Sequence, residues 1–459
     1  MKKNIFTIYF LSAIIMTVSA QNQFPSPRYG ASVVEFQVDS TTQAWAQFLL
    51  FGKTALPQNP FEEAIFFKST NDSPEEFTSI VPNWDSILFS YGQTALNFNN
   101  EYIVIVGGIR TDSLGNQSSN SNALMYDVAN GTIIYGNLEP FPSKGFMAHS
   151  DIGQGKIFFN GGYLLLNGLK VSYSHTFVLD LNSMTFTTKQ SCPKELSGHK
   201  AISDTVNHKT YLFGGIDNNG NNNFECYEYN TQTNSWGFGP SIQNYPQNEW
   251  SAFAASGSTL NPNETFIAGG QKYSTTKSTN SITFSSNLYT IKVNNGNLTA
   301  KLITNNLPPM IGAAGWCSLD SNNDTVFYFF GGINSITTTG DTTITNNFYR
   351  YNQTTSQFQQ YDTTQQTWGG ILSSINETAF KASVELTVFP NPTTDKVNFA
   401  LQTNETIKDI KIFNQNGQLI QQISNPKETQ IDFTNKTFGL YFIRIETETN
   451  YYLGKVIKQ

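Results

Sequence analysis

The chain has 459 residues, of which 14% are aromatic and 13% are charged, and its formal net charge is −7. A mildly acidic chain is a poor candidate for binding nucleic acid or an anionic membrane, because cationic side chains supply the affinity for both. The length suits one large body and a small second domain, and no amphipathic helical pattern of useful length appears after residue 20.

The first 20 residues have the pattern of a secretory signal peptide. Lys2 and Lys3 precede a short, mostly apolar run that ends at Val18, and small residues for cleavage follow up to Ala20. The apolar run is shorter than the roughly 18 residues of a membrane-spanning helix, and no second such run occurs in the chain. We therefore expect an exported protein without a transmembrane segment.

Five diglycines divide the following residues at nearly constant intervals. Each diglycine ends a short apolar run, and successive pairs are 54, 53, 55 and 62 residues apart. They are Gly107-Gly108, Gly161-Gly162, Gly214-Gly215, Gly269-Gly270 and Gly331-Gly332. A period of this size indicates a repeat architecture, in which each unit buries its apolar face against its neighbours.

A second regularity follows each diglycine: two large apolar residues lie seven positions apart. The pairs are Tyr126 and Ile133, Leu179 and Phe186, Tyr229 and Trp236, Ile291 and Leu298, and Tyr351 and Phe358. Polar turn-forming residues separate the members, so each pair predicts two antiparallel strands joined by a tight loop. With a small-residue strand and the glycine-terminated strand upstream, each unit contains four predicted strands.

Four-stranded units at this period are typical of the blades of a β-propeller. The unit with Gly198-His199, the run Tyr211 to Gly215, Tyr229 and Trp236 resembles the kelch family, because the last two residues occupy the tyrosine and tryptophan positions of the kelch pattern. The resemblance implies a kelch-type propeller of the superfamily that includes galactose oxidase.

A sixth, degenerate unit begins at Pro27-Arg28-Tyr29-Gly30. Its Gly52 lies 55 residues before Gly107, with Lys53 in place of the second glycine. We therefore predict an all-β protein with a six-bladed kelch-type β-propeller over residues 21–365, after a signal peptide over residues 1–20.

The residues after 384 have a different pattern. Phe389-Pro390-Asn391-Pro392, an Asn416-Gly417 hairpin turn, a strand that begins at Gly439-Leu440-Tyr441 and a basic terminus occur in this order. Together they resemble the type A C-terminal sorting domain of the type IX secretion system of Bacteroidota. An unrelated immunoglobulin-type sandwich is the alternative, since fold analogy alone would not separate the two.

This resemblance implies a small immunoglobulin-like β-sandwich over residues 384–459. It also implies that the type IX machinery is a partner of this domain, and that the protein is secreted or attached to the outer-membrane surface. Residues 366–383 are predicted to be an exposed linker. The part from Thr367 to Leu372 could instead add a strand to the ring.

The cysteines and histidines argue against a metal centre. Cys192, Cys226 and Cys317 cannot all pair, and their spacing matches no metal motif. A Cys192–Cys226 disulfide is open in an exported protein, with buried free thiols as the preferred alternative. The copper site of galactose oxidase needs two converging histidines, whereas His149 and His199 lie out of register in adjacent units. We expect no metal and no cofactor.

No catalytic motif of a hydrolase, a metalloprotease or a phosphate-binding loop is present, and no catalytic residue is assigned. We expect a binding or interaction module for a glycan or protein ligand rather than an enzyme. Candidate ligand-binding residues lie near the inner-strand segments: Arg28, His149, His199, Trp250 and Trp316. For each, the alternative is a packing or surface role, with the tryptophans filling the gaps between blades.

The alternative function is a propeller enzyme acting on carbohydrate or sialic acid, by fold analogy with the sialic acid mutarotases of the kelch class. Facing carboxylates in a deep polar pocket on the axis would favour the enzyme. A channel plugged by apolar side chains would argue against it.

Overall fold

Two compact units make up the protein in a computed structural model, Met1–Ser373 and Ser374–Gln459. The predicted signal peptide and the Asn416-Gly417 turn lie outside the residues that the structure describes. The described residues are 25–39, 44–50, 52–54, 65–69, 78–80, 90–111, 117–119, 123–128, 130, 132–136, 144–166, 169–261, 263–273, 282–320, 322–336, 341–363, 367–370, 383–401, 406–414, 419–424, 426, 429–447 and 451–459.

Six antiparallel sheets, each from one stretch of the chain, form most of the described part of the first unit, as the four-strand units predict. We number them in chain order and call the first strand of each sheet its inner strand. Sheet 1 contains Ser32–Asp39, Ala44–Leu50, Ile65–Ser69 and Thr78–Ile80; sheet 2 contains Thr94–Phe98, Tyr102–Val106, Ala123–Asp127 and Thr132–Gly136; sheet 3 contains Ala148–Asp151, Lys156–Asn160, Thr176–Asp180 and Thr185–Lys189. Sheet 4 contains Lys200–Asp204, Lys209–Phe213, Tyr227–Asn230 and Ser235–Phe238; sheet 5 contains Ala255–Ser258, Glu264–Ala268, Leu288–Asn294 and Asn297–Thr304; sheet 6 contains Ala314–Leu319, Thr325–Phe330, Phe348–Asn352, Gln357–Asp362 and Thr367–Gly370.

Thr367–Gly370, which the sequence assigns either to a linker or to an added strand, pairs with Gln357–Asp362 as the fifth strand of sheet 6. Smaller elements connect the strands. They are the hairpins Ile109–Thr111 with Gln117–Ser119, Tyr163–Leu166 with Leu169–Ser172, Gln271–Tyr273 with Ile282–Phe284 and Ile333–Ile336 with Thr342–Ile344, the pair Arg28–Tyr29 with Lys53–Thr54, and a 3-10 helix at Gln247–Glu249.

The seven-residue spacing marks cross-strand neighbours in four sheets. Tyr126 pairs with Ile133, for example, and the same holds in sheets 3, 4 and 6. The prediction is wrong for the register of sheet 5, where Ile291 pairs with Ala300 instead of Leu298. There a two-residue Asn295-Gly296 turn, with both residues at positive φ, replaces the longer loop and shifts the pairing by two residues.

Apolar side chains from neighbouring sheets form the core between them. Between sheets 4 and 5, Tyr211, Phe213, Tyr289 and Ile291 pack in one buried cluster, as expected where each sheet covers the face of the next. Cysteines belong to these interfaces, and all three are buried and free, so the open Cys192–Cys226 disulfide does not form. Burial raises the pKa of each thiol to about 12.

The second unit is a sandwich of two sheets. One sheet contains, in spatial order, Ser383–Glu385, Tyr451–Lys458, Gly439–Thr447, Ile407–Asn414 and Leu419–Ser424; the other contains Thr387–Phe389, Lys396–Ala400 and Gln430–Asp432. Between them lies a buried core that includes Val397, Ile410 and Phe433. Asn391 borders the last strand: its amide Nδ2 donates to Lys455 O at 2.7 Å, and its Oδ1 accepts from Ile457 N at 2.8 Å.

Candidate functional site

Six residues, each just before an inner strand, join the sheets in a closed ring of backbone hydrogen bonds. Each N–H donates to the carbonyl of the equivalent residue in the preceding sheet, at 2.7 to 3.1 Å. In order, the donors are Gly92, Phe146, Gly198, Phe253 and Gly312, and the acceptor of the first is Gly30. Gly30 N then donates to Gly312 O at 2.8 Å, which closes the ring. This closure makes the first unit a β-propeller with its axis through the ring.

Phenylalanine occupies two of these six positions, although the local backbone is left-handed. Phe146 has a φ of 55° and Phe253 a φ of 53°, close to the 65–67° of the four glycines. Such a backbone costs a side chain about 1–2 kcal/mol relative to glycine. A Cβ on Gly92 would lie 2.4 Å from the Phe146 ring, so the glycines make room for the phenyl rings.

The two phenylalanine rings and three tyrosines fill the axis at the end of the propeller where the diglycines lie. We call Tyr29, Tyr91, Phe146, Tyr163 and Phe253 the aromatic plug. Phe146 is its centre: its ring centroid is 5.2 Å from Phe253, 5.4 Å from Tyr29 and 5.7 Å from Tyr163. Tyr29, Tyr91, Tyr163 and Phe253 are buried, so the plug blocks the axis at this level.

The second glycines of the diglycines form a further circle of contacts between sheets. Gly108 N donates to Lys144 O at 2.9 Å, and Gly332 N donates to Arg28 O at 2.7 Å across the boundary of sheets 6 and 1. Gly52 N makes the equivalent bond to Ser90 O at 3.2 Å. Gly52 therefore corresponds to a second glycine, and the sequence alignment that gave this role to Lys53 is wrong by one residue.

A blind cavity of about 790 Å³ lies on the other side of the ring, bounded by the inner strands of all six sheets. Small residues and strand backbone form much of its wall, and the plug residues Phe146 and Phe253 are at its floor. Polar side chains from several sheets border it: Ser32, Asn97, His149, Asp151, Ser256 and Asn261. The arrangement offers hydrogen-bond donors and acceptors around the cavity.

Three ionisable groups of the cavity wall have shifted pKa values. Burial raises the pKa of Glu35 to about 7, against a smaller opposing effect of the hydrogen bond that Gln47 donates to it at 3.2 Å. Burial lowers the pKa of Lys200 to about 8. His149 is exposed and borders the cavity. Desolvation by the surrounding cavity wall lowers its pKa, and the charge of Lys200 lowers it further. The histidine is therefore neutral at pH 7.

Of the five residues predicted to bind a ligand, His149, His199 and Trp316 border the axial cavity, whereas Arg28 and Trp250 do not. Among the three at the cavity, His149 is exposed. Its predicted partner His199 is 1% exposed and its Nε2 lies 3.0 Å from Asn160 Oδ1 between sheets 3 and 4. Arg28 is also 1% exposed, and its Nε donates to Ser26 O at 3.2 Å.

Both predicted tryptophans are buried between sheets. Trp250 donates from Nε1 to Tyr245 O at 3.3 Å and belongs to the core of sheets 4 and 5. Trp316 stacks on Tyr328 with the ring centroids 5.1 Å apart. Both tryptophans therefore pack between blades, and Trp316 also borders the axial cavity.

Sequence reasoning missed the aromatic plug and Glu35. The available signal was the Tyr-Gly dipeptide, which occurs at Tyr29-Gly30 and Tyr91-Gly92 at the same distance before an inner strand. Among the described residues, no three His, Cys, Asp or Glu side chains are grouped as a metal site would require. In the same part of the chain, no helix is long and apolar enough to cross a membrane.

Comparisons with known proteins support both units. The solved structure titled "Structure of YjhT" is similar over 71% of this chain and 96% of its own, with a TM-score of 0.51 and 13% sequence identity. At that identity the likeness shows the fold alone, a β-propeller. No curated protein matches the chain.

Residues 387–459 match the family described as a secretion system C-terminal sorting domain. The predicted type IX sorting domain is thereby confirmed, and it indicates that the protein is secreted or attached to the outer-membrane surface.

Proposed function

We propose that the protein is a binding module displayed outside the cell, with a glycan or a polar protein segment as the ligand of the axial cavity. The observation that supports this is the blind cavity to which all six inner strands lead, about 790 Å³ in volume. Ligand sites typically have volumes of about 300–1,000 Å³. Amide, carboxylate, hydroxyl and imidazole groups border the space, and these pair well with sugar hydroxyls or peptide groups. The proposal includes that the propeller is of the kelch type, and that a Bacteroidota cell exports it after removal of a signal peptide.

Binding should depend on His149 and Asp151, which lie on one inner strand and border the cavity. We expect His149→Ala and Asp151→Ala each to weaken binding of the best glycan by about tenfold, because each removes a hydrogen-bonding group from a partly desolvated site. A glycan array of the full chain identifies the ligand, and titration calorimetry measures the change.

The matched control is His208→Asn. This histidine is exposed on a turn with a φ of 56°, which asparagine adopts readily. The control should bind as the parent does. Equal affinity in both cavity variants and the control would contradict the cavity as the binding site.

The aromatic plug supports binding over catalysis. Its apolar side chains close the axial channel, which argues against an enzyme that needs a continuous channel. As a result, a ligand can enter the cavity only from the end away from the diglycines. A ligand can therefore insert an end or a side branch, but a chain cannot thread through the axis.

One observation favours the alternative, an enzyme acting on carbohydrate or sialic acid. Glu35 borders the cavity and has a pKa of about 7, and such a carboxyl can donate or accept a proton near neutral pH. An enzyme that opens and closes a sugar ring needs a group of this kind.

Glu35→Gln tests the alternative and the pKa together. If the protein is such an enzyme, the variant should lose about 100-fold or more in sugar anomerisation, measured by NMR exchange, since it cannot transfer a proton. A parent chain without anomerisation activity would contradict the enzyme.

Stability gives an independent readout. A carboxyl with a raised folded-state pKa loses stability as the pH rises from about 4.5 to about 7, because the folded state holds the proton more tightly. The thermal midpoint of Glu35→Gln, relative to that of the parent, should therefore increase as the pH rises through this range. The new amide can also donate to Gln47 Oε1, which has no hydrogen-bond partner in the structure. An equal difference at pH 4.5 and pH 8 would contradict the raised pKa.

A further inference from the structure

The face of the aromatic plug opposite the cavity carries two lysines. Lys170 lies on the sheet 3 hairpin, with its ammonium 5.1 Å from the Tyr163 ring centroid and 5.9 Å from that of Phe253. Lys53 lies next to Gly52, with its ammonium 5.7 Å from the Tyr91 ring centroid. Both cations therefore stand over the same aromatic group.

Neither ammonium has an anionic partner among the described residues, where the ion pairs involve Lys209, Lys272 and Arg444. The surrounding protein lowers the pKa of Lys170, and the Lys53 charge lowers it further, so the two cations repel each other. Burial alone accounts for the lowered pKa of Lys53. Lys170 is exposed and Lys53 is half-exposed, so both ammonium groups are accessible to an anion, which would reduce their repulsion.

A buried polar group lies beneath these lysines. The Tyr163 side chain is 1% exposed, and its hydroxyl interacts with the hydroxyls of Tyr29 and Tyr91. The neighbouring Tyr91 hydroxyl donates to Gln117 Oε1 at 3.2 Å. The hydroxyls of the plug are therefore directed to one another and to Gln117, and the two ammonium groups face tyrosine rings.

The remaining wall of this mouth is aliphatic and aromatic. It comes from the connections of sheets 4, 5 and 6, whose partly exposed side chains pack against the plug. They are Ile216, Ile282, Phe284, Ile333, Ile336 and Ile344. On the sheet 3 hairpin that carries Lys170, Leu166 and Leu169 are also exposed, at 48% and 72%. The mouth therefore combines two unpaired cations on sheets 1 and 3 with an apolar wall on sheets 4 to 6.

We propose that this mouth is a second binding site, which takes an amphipathic acid. The acidic group lies between the ammonium groups of Lys53 and Lys170, and the alkyl or aryl body covers the aliphatic side chains of sheets 4 to 6. Charge complementarity selects an anion, and the apolar wall requires that the anion carry a hydrophobic body. The site is separated from the axial cavity by the plug, so it does not depend on the function proposed for that cavity.

Sodium octanoate is the probe, titrated into the purified full chain by calorimetry at pH 7. We expect saturable binding of octanoate. Octyltrimethylammonium has the same chain with the opposite charge, and acetate has the charge without the chain, so each should bind at least about tenfold more weakly. Lys53→Met and Lys170→Met should each weaken octanoate binding by about tenfold, since each removes one charge-assisted contact.

Lys272→Met is the matched control. Lys272 also lies in a connection at this end of its sheet, but its ammonium pairs with Glu249 at 2.8 Å. Its loss should leave octanoate affinity unchanged, and circular dichroism checks that all three variants are folded. Three results would overturn the proposal: no octanoate binding at millimolar concentration, equal binding of octyltrimethylammonium, or equal losses in the control and the two test variants.

Discussion

Gly92→Val is expected to lower the free energy of unfolding of the propeller by about 2–5 kcal/mol, the largest effect of any single substitution considered for this protein. Gly92 has a φ of 66°, where a side chain costs about 1–2 kcal/mol. A Cβ would also lie 2.4 Å from the Phe146 ring, and overpacking of this kind costs about 1–3 kcal/mol. A loss of this size is a large part of the roughly 5–15 kcal/mol that stabilises a folded domain. Urea denaturation followed by tryptophan fluorescence measures it.

Gly237→Val is the control for this substitution. Gly237 lies in the outermost strand of sheet 4 with ordinary backbone, and a Cβ there would meet no atom within 4 Å. Its unfolding midpoint should stay within about 0.5 kcal/mol of the parent. A Gly92→Ala and Phe146→Ala double variant should lose less than the sum of the two single variants, because the second change removes the clash. Equal midpoints for the two valine variants would show that the ring does not need glycine at position 92.

Removal of residues 384–459 is expected to abolish display or release of the protein outside the cell. The matched sorting domain is the part of the chain that directs export, and the propeller has a core of its own. The truncated protein should therefore fold and accumulate inside the cell envelope. Fractionation of the native cells, with detection of the propeller in the surface, medium and periplasmic fractions, measures the change.

The control replaces the same residues with an unrelated soluble β-sandwich of similar size. This variant preserves the bulk and charge of the tail but not its surface, and it should also be retained. Export of either variant at the parent level would contradict the sorting role, whereas degradation of both would show as loss of the protein from every fraction.

The strand order was predictable because each unit of the repeat carries its own local signals. An apolar strand before a diglycine and a polar loop between paired apolar residues both act over a few residues. These signals fail in two places. The Asn295-Gly296 turn shortens one loop of sheet 5. In sheet 1, Gly52 takes the place of the second glycine of a diglycine, so the alignment that gave this place to Lys53 is one residue off. The spacing of the diglycines and of the paired apolar residues does not predict shifts of one or two residues in the strand register.

The site was less predictable because it is assembled from residues about 50 positions apart. Phe146 and Phe253 occupy left-handed positions that a sequence rule assigns to glycine, so they carry no sign of their place at the axis. Trp250 and Trp316 were candidates because they lie near inner strands, but inter-sheet packing buries them. The sequence around Glu35 does not distinguish it from other acidic residues, because its raised pKa depends on burial beside Gln47 in the folded protein.

The hydrogen bond between Gly30 and Gly312 has a consequence for how the protein acquires its shape. Every other bond of the ring joins residues roughly one repeat apart, whereas this one closes a loop from residue 30 to residue 312. Loop-closure entropy grows only with the logarithm of length, so this closure costs only about 1.4 kcal/mol more than that of a single repeat. Each sheet takes its strands from one stretch of the chain, and no strand is exchanged between the first and last sheets among the residues that the structure describes. The two ends of the propeller are thus held by side-chain packing and by the few backbone hydrogen bonds of Arg28 and Gly30, and hydrogen exchange should be fastest along that seam.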